Sequence, residues 1–215
     1  RKSTIAANGV GKDALLVNIL ANIIWGPQNE WFDYPLFKDW PFPKVLRIGT
    51  DSGNLSEAGS IDREIATWWP KGRYEATKLG KQYFSLYKSD TGFIVDKMSY
   101  EQDVKDWESV TLGGGFLSEP PKREHYAATV ARMRKGGIIC FFMTPLANAA
   151  WIKDDLVDSH AERSFVVSGD IEEACKEHGT RGFLDHQAIV DMMRNWTPDE
   201  FDARAKGSFL HLTYT

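Results

Sequence analysis

The chain opens with Ser3-Thr4-Ile5-Ala6-Ala7-Asn8-Gly9-Val10-Gly11-Lys12-Asp13 and runs on into Ala14-Leu15-Leu16-Val17-Asn18-Ile19-Leu20. A strand-like segment, a glycine turn and a long apolar run predict strand, loop and helix in that order. Four residues separate Ala6 from Gly11-Lys12, the spacing of the phosphate-binding loop G-x-x-x-x-G-K-[ST], with alanine in the first glycine's place. Gly9 and Gly11 would let backbone N–H groups turn inward beside the positive end of the helix, and Lys12 would reach the β- and γ-phosphates. Ala7, Asn8, Gly9, Val10, Gly11, Lys12, Asp13 and Ala14 are thus the candidate nucleotide-binding residues. A left-handed glycine turn before an ordinary helix fits the same residues, and only motifs later in the chain separate the two readings.

The rest of the chain alternates strands and helices. The first helix should run from Lys12 to Trp25 and stop at Gly26-Pro27. Gln28 to Pro43 is rich in aromatics and proline without a period, hence an ordered loop whose Trp31, Phe32, Tyr34 and Trp40 either pack on the body or stack on bases. Val45 to Gly49 reads as a strand, followed by a helix capped by Asn54 and ending at Pro70. The segment with Lys71, Arg73, Lys78 and Lys81 is either a DNA contact or a solvated face. Gln82–Lys88 and Phe93–Ser99 flank Ser89-Asp90-Thr91-Gly92 as a hairpin. Lys122 to Lys135 should be a helix with Tyr126, Val130 and Met133 on one face, and Ile138–Met143 a strand buried on both faces. Further on are a helix near Ala147–Val157, a strand Ser164–Val167, a helix capped by Asp185 and another begun by Thr197-Pro198-Asp199-Glu200.

At 215 residues and 42% hydrophobic, the chain can bury a large core. A net charge of -4 excludes whole-surface attraction to nucleic acid and restricts any such contact to a patch. No apolar run reaches the ~20 residues that span a bilayer, and Arg1-Lys2 leads directly into a strand, which together predict a soluble, intracellular protein. Cys140 and Cys175 show no metal-ligand spacing and read as small buried hydrophobes, which excludes a disulfide framework and argues against zinc.

A second constellation is Val110-Thr111-Leu112-Gly113-Gly114-Gly115-Phe116-Leu117-Ser118-Glu119-Pro120-Pro121. Glu119 directly follows an apolar segment, which places a carboxylate at the C-terminal end of a strand, suited to orient or deprotonate a water.

With Ala7–Lys12, Ser118-Glu119-Pro120-Pro121 and Thr144-Pro145-Leu146 in that order, the chain resembles the ATPase domain of the large terminase subunit of tailed bacteriophages. The resemblance implies an α/β P-loop NTPase fold, a central mostly parallel sheet flanked by helices of the ASCE/RecA-like kind, with a small C-terminal helical lid. It implies an ATPase core over 1–168 and, over 169–215, a lid and linker toward a nuclease domain. Lys12 would bind phosphate, Glu119 would be the catalytic carboxylate and Thr144 would sense the γ-phosphate. ATP would be the substrate and Mg2+ the cofactor. The implied partners are double-stranded DNA, the portal protein, the small terminase subunit and further copies of the chain in a ring, with no membrane. The implied location is the host cytoplasm and, transiently, the procapsid portal vertex.

Two positions depart from that pattern, and both concern magnesium. The hydroxyl residue expected after Lys12 is Asp13, and the aspartate expected before Glu119 is Ser118. The two groups are exchanged, so Asp13 would meet the ion and Ser118 would hold its water. Asn8 and Trp107-Glu108-Ser109 stand where relatives often carry an arginine finger, which leaves Arg47, Arg63, Arg73, Arg132 and Arg134 as candidates. A non-hydrolysing nucleotide-binding assembly module and another P-loop DNA translocase are the rival readings.

Overall fold

The computed structural model describes residues 2–6, 11–52, 59–79, 83–146, 149–159, 162 and 164–209, with backbone alone for 2–6, 79, 83, 84 and 199. In chain order its elements are β1 (Lys2–Ala6), α1 (Lys12–Trp25), α2 (Pro35–Lys38), β2 (Val45–Thr50), α3 (Ser60–Trp68), β3 (Tyr74–Leu79), β4 (Tyr83–Ser89), β5 (Ile94–Ser99), β6 (Gly114–Ser118), α4 (Arg123–Arg132), β7 (Ile138–Met143), α5 (Ala150–Ile152), β8 (Phe165–Gly169), α6 (His186–Met193) and α7 (Pro198–Lys206). The chain forms two compact units, residues 13–139 and residues 1–12 with 140–215.

In the unit of residues 13–139 the strand order is β3-β4-β5-β2-β6. β2 pairs in parallel with both β5 and β6, whereas β3, β4 and β5 form an antiparallel meander. In the other unit β1 lies between β7 and β8 and pairs in parallel with each. This is the mostly parallel α/β architecture that alternating strands and helices predict. From Ile139 to Met143 β7 is buried throughout, as a strand with no polar alternation requires.

Local signals account for several bounds. α1 spans Lys12–Trp25 and ends at Gly26, whose φ of 86° no continuing helix can adopt. Thr197 caps α7 in a reciprocal box with Glu200. Thr197→Ala should therefore lower stability by about 1 kcal/mol, read as a reduced urea midpoint, with Thr197→Ser close to the parent.

Elsewhere several expected bounds shift, and two open readings gain detail. The helix expected from Asn54 begins at Ser60 behind an extended Gly59, and 53–58 lie outside the described residues. Within the basic stretch, Tyr74–Leu79 is the edge strand β3, and Arg73 is already paired with Asp90 at 2.7 Å. α4 ends at Arg132, short of Lys135, and its buried residues are His125, Ala128 and Thr129. Trp107 packs edge-on against that face, its ring centroid 4.9 Å from that of His125. The expected helix near Ala147–Val157 is, in its described part, α5 followed by a π-helical turn over Lys153–Asp158. In the aromatic loop Trp40 packs on Phe42 and Phe93, whereas Trp31 and Tyr34 are exposed.

Charged groups join elements inside the first unit. Lys97 on β5 meets Asp62 on α3 at 2.5 Å, and Tyr87 on β4 donates its hydroxyl to the same carboxylate at 2.6 Å. Burial pulls the Lys97 ammonium below its usual range against the opposing field of Asp62. The glycines before Ser118 serve close approach: a Cβ at Gly113 would lie 2.0 Å from the Pro43 carbonyl oxygen and one at Gly115 2.8 Å from Thr129.

The C-terminal helices have a small core of Ile171, Cys175, Ile189 and Ala205, with Leu184, Met193, Trp196 and Phe201 packed on it. Among the described residues no helix is long and apolar enough to cross a membrane.

Candidate functional site

Lys12 is the first residue of α1, and Gly11 before it has φ of 81°. Among the described residues nothing would obstruct a Cβ at Gly11, and the backbone angle itself calls for glycine there. Lys12 donates from Nζ to Thr144 Oγ1 at 2.5 Å. Thr144 directly follows β7 and is 2% exposed, so its hydroxyl is a fixed partner for the ammonium. Two of the predicted residues, 132 positions apart, are thus in direct contact. Ala7, Asn8, Gly9 and Val10 lie outside the described residues, and Ala14 sits in the first turn of α1.

The second pair is Asp13 with Ser118, the two positions where loop and strand depart from the usual pattern. Ser118 donates from Oγ to Asp13 Oδ1 at 2.9 Å. Ser60, the first residue of α3, donates its hydroxyl to the other oxygen of the same carboxylate. One carboxylate held by two hydroxyls is an all-oxygen group of the kind a hard divalent cation selects. Each carboxylate oxygen has more than one lone-pair direction, so the hydroxyl contacts leave acceptor capacity for an ion. The donor set fits magnesium.

Glu119 follows Ser118 at the end of β6 and is the one non-glycine with positive φ among the described residues, at 63°. A left-handed backbone at a β-carbon-bearing residue costs roughly 1–2 kcal/mol and persists only where neighbours enforce it. Tyr100 does so. Its hydroxyl lies 3.0 Å from the Gly49 carbonyl, 3.1 Å from that of Ser118 and 3.3 Å from that of Glu119, sharing one proton among them. Its ring stacks on Trp107. Burial, with the charges of Asp51 and Glu119, pushes the Tyr100 hydroxyl well above its ordinary range, which keeps it a donor. Burial and the charge of Glu101 likewise push the Asp51 carboxyl up.

Sequence reasoning misses Ser60 and Tyr100. Neither sits in a motif, and each acts through a fold-dependent contact. The structure also shortens the set of arginines. Arg47 is fully buried, with Nε and Nη2 on Asp96 and Nη1 on the Trp107 carbonyl, so it is a core residue. Arg73 is paired with Asp90, and Arg132 donates to the Glu108 carbonyl.

Neither protein-family models nor curated proteins give a match to this chain. Among solved structures, the large terminase from a thermophilic bacteriophage, in complex with ADP, is similar with a TM-score of 0.61 and 12% sequence identity. The match covers 95% of this chain and 46% of that one, so the chain spans about half the length of that terminase. The chain therefore has the fold found in that terminase, a mostly parallel sheet flanked by helices.

Proposed function

We propose that the chain is an ATP-hydrolysing motor domain of a viral DNA-packaging terminase, coupling hydrolysis to translocation of double-stranded DNA into a procapsid. The observation that carries this reading is the Asp13–Ser118 bond. It joins the residue after the loop lysine to the residue before the candidate catalytic carboxylate, the connection a phosphate loop and an acidic strand end need in order to share one metal ion.

Lys12 and the backbone from Ala7 to Ala14 would hold the phosphates. Asp13 and Ser118 would hold Mg2+, which when bound neutralises charge on the phosphate oxygens. Glu119 would orient the attacking water and accept its proton. Thr144 would report the γ-phosphate, because a phosphate oxygen competes with its hydroxyl for the Lys12 ammonium. In this reading residues 1–168 are the ATPase core, and 169–215 a lid and linker toward a nuclease. The domain would act as a ring on the portal vertex, with the portal protein and the small terminase subunit as partners in the host cytoplasm.

The exchanged pair gives the test. Asp13→Thr alone and Ser118→Asp alone should each lower magnesium-dependent ATP turnover by about tenfold or more, and the double variant should recover most of it. Residues in direct contact couple by about 0.5–3 kcal/mol, so strictly additive losses would remove the basis of the proposal. The rival reading, a nucleotide-binding assembly module, draws on the fact that both Asp13 oxygens already accept hydroxyls. Bound nucleotide with no turnover at any protein concentration, with DNA present, would establish that alternative.

A further inference from the structure

The C-terminal segment contains a cluster that the proposed nucleotide chemistry does not use. Cys175 Sγ and one ring nitrogen each of His178 and His186 lie within 4.8 Å of one another. Cys175 Sγ is 3.8 Å from His186 Nδ1, and the two imidazole rings meet edge-on with centroids 4.7 Å apart. His178 Nδ1 is 2.6 Å from Glu172 Oε2.

We propose that Cys175, His178 and His186 bind one Zn2+ ion, with the Glu172 carboxylate fixing His178 from outside. A thiolate and two imidazoles are a borderline-soft donor set, which selects zinc over magnesium or calcium. Zn–S near 2.3 Å and Zn–N near 2.0 Å set a tetrahedral S···N separation of about 3.5 Å, close to the distance between Cys175 and His186. Because Glu172 engages Nδ1 of His178, the proton sits there and Nε2 is left as the metal-binding atom, the carboxylate–histidine–metal arrangement. One thiolate and one nearby carboxylate together offset the two charges of the ion. Water would fill the fourth position, and binding would release the thiol proton to solvent.

Backbone contacts fix the placement of the three side chains. Gly179 donates its N–H to the Cys175 carbonyl, and Lys176 donates to that of Leu184, both at 2.8 Å. A Cβ at Gly179 would lie 2.1 Å from the Glu173 carbonyl oxygen, so no side chain fits directly after His178. Asp185 caps α6 through the N–H groups of Gln187 and Ala188, which fixes His186 as the first residue of that helix. Cys175 is 0% exposed and belongs to the small C-terminal core, whereas the His178 side chain is 50% exposed, so an ion can enter from solvent. A segment whose described core is this small is the kind of structure a metal stabilises. The C-x2-H-x7-H spacing has no second cysteine, which is why the sequence alone does not reveal it.

The test is titration of the chelator-treated chain with Co2+ and then Zn2+. The expected result is one ion per chain, a thiolate-to-cobalt charge-transfer band, and loss of that band when Zn2+ displaces Co2+. Cys140→Ser should leave the band intact. His178→Ala, at an exposed position and checked for fold by circular dichroism, should weaken Zn2+ binding by roughly 100-fold or more, and Glu172→Ala by about 10–100-fold. Absence of stoichiometric binding, a band that survives Cys175→Ser, or parent affinity in folded His178→Ala would overturn the proposal. The readout is independent of ATP turnover, so it stands or falls apart from the motor reading.

Discussion

Glu119→Gln is expected to reduce magnesium-dependent ATP turnover by about 10²–10⁴-fold, the range lost with a general base. Nucleotide affinity should change little. Glutamine keeps the length and shape of the side chain and can still orient a water, but it cannot take its proton. The backbone at this position is left-handed, with φ of 63°, and is held by Tyr100 through the carbonyls around it. Because glutamine suffers the same backbone strain as glutamate, the variant isolates the carboxylate. Turnover would be measured over a wide range of protein concentration, beside nucleotide binding by equilibrium dialysis. Unchanged turnover would exclude Glu119 as the base, and loss of nucleotide binding in parallel would assign it to substrate binding.

Arg47→Met should destabilise the chain by about 3–5 kcal/mol, the cost of removing one partner from a buried ion pair. The Arg47 side chain is 0% exposed, its Nη2 is 2.8 Å from Asp96 Oδ2, and its Nη1 is 2.6 Å from the Trp107 carbonyl. Methionine fills similar space but leaves a carboxylate and a carbonyl without a donor. Burial already pushes the Asp96 carboxyl up against the opposing pull of the guanidinium, and loss of that pull moves it further up. A carboxyl raised above its unfolded value favours the fold at low pH, and that contribution disappears as pH rises through the folded value. The deficit relative to the parent should therefore be smaller near pH ~5 than near pH ~8, as read from urea midpoints. Arg47→Met with Asp96→Leu should recover most of the loss, since an apolar pair replaces the buried ions. A deficit independent of pH, or no recovery in the double variant, would assign the effect to packing.

The importance of these residues is unevenly visible along the chain. Glu119 is legible because a carboxylate directly after an apolar strand is a local pattern. Arg47 reads as a candidate finger, because a charged residue inside a short apolar strand gives no sign of a partner. Its partner, Asp96, stands on the neighbouring strand β5, opposite Arg47 in the parallel register. Tyr100 and Ser60 carry no signal for the same reason: each matters through contacts with distant residues, namely the Ser118–Glu119 backbone and Asp13.

Local chemistry is enough to set the alternation of strands and helices, the bounds of α1 and β7, the capping of α7, and the residue types at the loop and strand end. These follow from side-chain period, glycine and proline geometry and caps, all of which act within a few residues. The folded chain alone brings Asp13 to Ser118 across 105 positions, Lys12 to Thr144, and Cys175 together with His178 and His186. Those contacts depend on strand order, parallel register and the folding back of a loop. Parallel pairing joins segments that are far apart in the chain, and a period of two along each strand carries no record of which neighbour it will find.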